Sequence, residues 1–181
     1  MTMNDNRKVS KGYVQLYTGS GKGKTTAALG LALRTSGHGF CSYIAQFMKK
    51  YPYGELAAVD NFPLITIEQF GTGKHADRDR ISELDKEKAR EGLKFSEVAM
   101  LSDEYDIVVL DEVNLSIWFG ILEVGEVIDF LDKKPKHAEV ILTGRFAPEA
   151  LIRRADLVTE MREVKHYYSQ LGVETRLGIE R

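Results

Sequence analysis

The run TGSGKGKTT, Thr18 to Thr26, constrains this chain more than any other stretch. Tyr13 to Tyr17 (YVQLY) before it reads as a strand. The Ala- and Leu-rich run Thr25 to Ser36 (TTAALGLALRTS) reads as a helix, ended by Gly37 and Gly39. A glycine-rich turn between a strand and a helix is the setting that a Walker A phosphate loop needs. Gly19, Gly21 and Gly23 let the backbone curl with its N–H groups inward. Those donors and the positive end of the helix make an anion cradle. Within the same nucleotide-binding run, with Ser20 and Thr26, Lys24 offers a point charge to a triphosphate and Lys22 adds a second. The Thr25 hydroxyl is placed to meet Mg²⁺. The usual first glycine is replaced by Thr18, and a Gly/Lys-rich surface turn is the competing reading.

The rest of the pattern repeats the strand–helix alternation. Strands are expected at Phe40 to Phe47, Leu64 to Phe70, Ile107 to Leu110, Glu139 to Thr143 and Leu157 to Met161. Helices are expected at Ser82 to Leu101, Val124 to Leu131 and Pro148 to Ala155. In the long helix Leu84, Leu93, Val98 and Leu101 are core candidates, and Ser82 with Asp85 can cap its start. This order predicts an α/β fold of three layers, a mostly parallel sheet between helices, as in P-loop NTPases of the RecA type. Ligands are expected at the carboxyl ends of the strands. Residues 1–11 read as a flexible tail and 12–181 as one domain.

A second motif falls on that same edge. In Tyr105 to Val113 (YDIVVLDEV) four apolar residues lead into Asp111 and Glu112. This is a Walker B pattern: a carboxylate at the end of a buried strand can hold Mg²⁺ or its water beside Thr25. Spacing does not choose between the two acids, and an acid at this junction can also simply cap a helix.

Composition narrows the partners. A net charge of −2 gives no general attraction to nucleic acid, and no apolar run is long enough to span a bilayer. A single cysteine, Cys41, excludes an intrachain disulfide and suits a reducing cytoplasm. His38, His75, His137 and His166 show no metal-ligand spacing.

The motifs together resemble the P-loop corrinoid adenosyltransferases. The matching stretches are Tyr17 to Arg34, Ile44 to Lys49 (IAQFMK), Tyr105 to Asn114, Ile141 to Met161, Val164 to His166 (VKH) and Gly178 to Glu180 (GIE). The resemblance implies transfer of the 5′-deoxyadenosyl group of ATP to a reduced Co(I) corrinoid with release of triphosphate. It implies ATP as co-substrate, Mg²⁺ or Mn²⁺, a homodimer, and a reductase that supplies electrons to cobalt. It also implies ATP held in reverse, terminal phosphate first. Lys24 and Glu112 are then the catalytic candidates, Thr25, Asp111 and Glu112 the metal candidates. Arg145, which follows a strand in TGR, is a further phosphate or ribose contact, with a surface salt bridge as its alternative.

One stretch departs from the family. Known members carry a Gly-aromatic-Thr-Trp segment after the third strand; here Phe70 to Asp79 reads FGTGKHADRD, without tryptophan. Phe70 and the only tryptophan, Trp118, remain as corrinoid-binding candidates, although core packing is the preferred reading of Trp118. Tyr51, Tyr53 and Gly54 are expected in a flexible loop able to cover a flat corrinoid. The alternatives in function are another P-loop ATPase, a small kinase for which Arg78 and Arg80 hint at a lid, or a nucleotide-binding regulator.

Overall fold

A computed structural model describes residues 9–73 and 81–180. The expectations for His75, Arg78, Arg80 and most of the 1–11 tail lie outside the described residues. Six strands form one sheet: β1 (Val14–Thr18), β2 (Ser42–Phe47), β3 (Ile65–Phe70), β4 (Ile107–Asp111), β5 (Glu139–Thr143) and β6 (Leu157–Glu160), in the order β3-β2-β4-β5-β1-β6. Every pairing is parallel. All the carboxyl ends therefore open on one edge.

Strand side chains alternate between two cores, as a two-sided sheet requires. Val14, Leu16, Tyr43, Ala45, Val108, Leu110, Val140 and Leu142 face one cluster. Tyr17, Ile44, Ile107, Val109 and Ile141 face the other. The second is covered by α1 (Lys24–Ser36) through Ala28 and Ala32. The short α2 (Gly54–Ala58) forms where a loop is expected. The first face is covered by α3 (Glu83–Leu101), α4 (Val113–Trp118), α5 (Val124–Asp132) and α6 (Glu149–Arg154). α7 (Tyr167–Leu171) lies near the C-terminus.

α3 begins with the expected capping box: Ser82 accepts from the Asp85 N–H and Asp85 returns the bond. Its buried face differs from the expected one. Leu84, Val98 and Leu101 are exposed, and Leu93 only edges the core. The buried stripe is Ala89, Gly92, Ser96, Ala99 and Met100. Small residues win because the helix lies close to the sheet: a Cβ on Gly92 would sit 2.7 Å from the Phe70 ring.

Three non-glycine residues among those described have positive φ: Met48 at 60°, Glu112 at 63° and Phe146 at 58°. All three lie just past the carboxyl ends of β2, β4 and β5. Such a conformation costs about 1–3 kcal/mol and persists only where its surroundings fix it. β4 alone buries Ile107, Val108, Val109 and Leu110 completely or nearly so. At about 1.5–3 kcal/mol for each such side chain, the strand outweighs the strain at its end.

Candidate active site

The ends of β1, β2, β4 and β5 converge on one carboxylate. Asp111 closes β4 and is wholly buried. Its Oδ1 accepts from the Thr25 hydroxyl at 2.8 Å and the Thr143 hydroxyl at 2.7 Å. Its Oδ2 accepts from Lys49 Nζ at 2.8 Å and, more weakly, from Gln46 Nε2 at 3.4 Å. The parallel register sets Gln46 opposite Asp111 and so brings Lys49, three residues on, to the same edge. All four neighbours are donors, as a buried carboxylate requires. Burial alone would lower the Lys49 ammonium. The Asp111 charge and hydrogen bond, with Glu112 and Glu55, outweigh it and raise it.

Glu112 follows in the left-handed conformation. Its N–H donates to Thr143 Oγ1 at 2.9 Å, so Thr143 links both acids. Its Oε2 is buried without a hydrogen-bond partner. Burial, then the Asp111 charge, push this carboxyl up, while Lys49, Lys24 and Arg145 pull it down.

The glycine-rich turn joins β1 to α1. Gly23 has φ 115° and caps the first helical turn, a conformation natural only for glycine. A Cβ on Gly19 would lie 2.5 Å from the Met161 carbonyl oxygen, the same oxygen that accepts the Gly21 N–H at 2.6 Å. Met161 thus backs the turn. Lys24 Nζ donates to the carbonyls of Gly19 and Gly21 at 2.8 and 2.7 Å. Burial lowers this ammonium, with Glu112 opposing.

A cleft of about 700 Å³ opens over these groups. Gly21, Lys22, Gly23, Lys24, Thr25 and Thr26 line it, and so do Glu112 and Arg145. Asp111 lies behind Thr25. Gly19 stands against Met161, and Ser20 is exposed and does not line the cleft. Further contributors were not foreseen as site residues. Lys49 and Thr143 complete the Asp111 network. Gly178, Ile179 and Glu180 form an outer wall, where Lys22 Nζ donates to the Ile179 carbonyl at 3.1 Å and lies 3.8 Å from Glu180.

The two corrinoid candidates are not brought together. Phe70 is buried, its ring against Phe47 and Phe95. Trp118 is not in the core, contrary to the preferred reading: it is 37% exposed and stacks on Phe146 with ring centroids 4.6 Å apart. α4, unforeseen in sequence, carries it to the surface.

The donor set fits a hard divalent cation. Thr25 Oγ1, the Asp111 carboxylate and the partnerless Glu112 Oε2 are all oxygens. Among the described residues no group of three or more His, Cys, Asp or Glu could hold a metal. Phosphate oxygens and water would have to complete the shell, as is usual for Mg²⁺. No helix among the described residues is long and apolar enough to cross a membrane.

A family model described as ATP:corrinoid adenosyltransferase BtuR/CobO/CobP matches residues 10–181. The chain is 33% identical over 171 residues to the corrinoid adenosyltransferase of Escherichia coli (strain K12), covering 94% of this chain and 86% of that protein. It is 35% identical over 181 residues to the corrinoid adenosyltransferase of Sinorhizobium sp., covering 94% and 80%. The Pseudomonas aeruginosa corrinoid adenosyltransferase is 33% identical over 175 residues, with 94% and 84% covered.

Proposed function

The chain belongs to the ATP:corrinoid adenosyltransferase family, and from that premise we propose that its cleft grips the polyphosphate of ATP and presents the 5′ carbon to a reduced corrinoid. The protein is an enzyme, a corrinoid adenosyltransferase of cobalamin biosynthesis, with ATP and a corrinoid as substrates. In our reading, residues 12–181 work as one RecA-like P-loop domain and Thr18 to Thr26 is its phosphate loop. One observation carries this: the Thr25 hydroxyl, at the end of the glycine-rich turn, meets the buried Asp111 at 2.8 Å across 86 residues of chain.

The chemistry needs no general base. The electron pair of Co(I) forms the bond to C5′ while the C5′–O bond breaks and its pair goes to the triphosphate oxygen. The protein has to orient the carbon and stabilise the departing charge. Lys24 is held at the centre of its loop by two carbonyls before any substrate arrives. Lys22, Arg145 and the loop N–H groups add positive charge toward the terminal phosphates. Thr25, Asp111 and Glu112 would hold Mg²⁺ or Mn²⁺, whose charge offsets that of the polyphosphate.

Next in sequence to the cleft-lining Arg145, Phe146 stacks with Trp118, and the pair offers an exposed aromatic face for a corrin ring. Phe70 has no such face. Edge strand β6 exposes all its residues, Leu157 and Val158 included, which supports a homodimer, checked by light scattering. In the same reading, a separate reductase supplies the electrons for cobalt. The reducing cytoplasm suits this chemistry.

Product identity tests the whole. Anaerobic incubation with ATP, Mg²⁺ and chemically reduced corrinoid is expected to give a light-sensitive Co–C bond and intact triphosphate. ADP formed without corrinoid would support the ATPase or kinase alternative instead.

A further inference from the structure

We propose that Lys49 is a positioning residue that occupies the metal's place: it neutralises Asp111 while the cleft is empty and moves to the polyphosphate when nucleotide binds, so that a divalent cation enters with nucleotide and not before it. The inference rests on the reading that Asp111 and Glu112 hold the metal.

Three observations carry it. First, Lys49 Nζ touches Asp111 Oδ2 at 2.8 Å, so an ion approaching that oxygen meets a fixed positive charge. Two cations on one buried carboxylate oxygen repel strongly where the dielectric is low. Second, the lysine lines the same cleft as the phosphate loop and so borders the space that a polyphosphate would fill. Its ammonium stands over the Tyr53 ring, 5.1 Å from the centroid, and 3.9 Å from Glu55 Oε1. Both neighbours line the same cleft as the phosphate loop. Third, the placement is built into the backbone. Met48, just before it, has φ 60° and donates its N–H to the Phe70 carbonyl at 3.0 Å. Gly71 lies so close that a Cβ there would fall 2.5 Å from the Met48 carbonyl carbon. The strained turn aims Lys49 back at the end of β4, a cost that a merely solvated lysine would not explain.

The test is a Mn²⁺ titration of the nucleotide-free full chain, followed by the electron paramagnetic resonance signal of the free ion. Lys49→Met is expected to bind one Mn²⁺ about tenfold more tightly than the wild type, or better. Lys49→Gln keeps an N–H donor for Asp111 without the charge. It is expected to behave alike, and it carries the test if the Met variant does not fold. Lys49→Arg is expected to stay at the wild-type value. Equal Mn²⁺ affinity in wild type and Lys49→Gln overturns the proposal. So does an ATP affinity, measured by calorimetry, that is unchanged in Lys49→Gln, where a loss of about tenfold is expected. Adding Asp111→Asn to Lys49→Gln is expected to remove the tight Mn²⁺ site. If it survives, the metal-site reading itself fails, and the proposal with it.

Discussion

The two walls of the cleft are built on opposite plans. On the inner wall Asp111, Thr143 and Gln46 are wholly buried and Lys24 is 6% exposed, and each has a hydrogen-bond partner from a different element. The outer wall is the C-terminal segment, where Val164 and Leu177 are each 87% exposed and Leu171 is 76% exposed. It is attached to the phosphate loop by Met161 and by Lys22's contacts with Ile179 and Glu180. Lys49 apart, the inner wall is fixed before substrate arrives. The outer wall offers apolar surface still to be covered, by substrate or by a second chain. Buried polar pairs are costly to break, whereas exposed ion pairs contribute little.

That contrast predicts a graded series of losses. Asp111→Ala should be the most damaging change, because it leaves the part-buried Lys49 with only the longer Glu55 contact and takes the acceptor from the Thr25 and Thr143 hydroxyls. A destabilisation of about 3–5 kcal/mol is expected in urea melts. A loss no larger than that of an exposed pair would mean that the inner wall is no more fixed than the outer. Next is Lys24→Ala, expected to lower kcat by about 10²–10³ with an unchanged circular dichroism spectrum. Near-normal turnover would remove Lys24 from the leaving-group role. At the exposed aromatic pair, Trp118→Ala and Phe146→Gly are expected to raise KM for the corrinoid about tenfold, with KM for ATP unchanged. Phe146→Gly also separates function from stability. Relief of the left-handed backbone, about 1–2 kcal/mol, roughly offsets the lost ring contact, about 0.5–1.5 kcal/mol. Its melting point should therefore barely move. A large drop with an unaltered corrinoid KM would make the aromatic pair purely structural.

What the sequence made legible follows the same division. The turn at Gly19 to Thr25 and the acids at Asp111 and Glu112 are local patterns, and each needs only a few consecutive residues to be recognised. Lys49 closes the family-matching stretch IAQFMK, but its role was missed because nothing in that stretch points to Asp111. Only the register that pairs Gln46 with Asp111 selects it. Thr143 was read as the end of a strand for the same reason, since its partners are 31 and 32 residues away. In α3 apolar size misled. Leu84, Val98 and Leu101 were counted as core, yet the close approach to Phe70 admits only the small-residue stripe. Trp118 reversed its expected place because α4, too short to show a period, turns it outward. Small size, register and short helices are what pattern reading loses.

The smallest effect is expected at the outer wall's own anchor. Hydrogen bonds from Arg176 and then Tyr167 depress the Glu180 carboxyl from 4.5 to about 2. A depressed carboxyl adds stability that is present above its unfolded value and is lost as pH falls through its folded value. Glu180 should therefore hold the segment at neutral pH and release it between pH 4.5 and about 2. Because Arg176 is half exposed, solvent screens the contact and the contribution stays small. The thermal midpoints of wild type and Glu180→Gln should differ slightly and constantly above pH 4.5, then converge toward pH 2. The inner wall has no part in this difference, since the substitution leaves Asp111 and its donors untouched. Midpoints that stayed apart to the acid limit would mean that something other than this carboxylate fastens the outer wall, and the two walls would then be more alike than their exposure suggests.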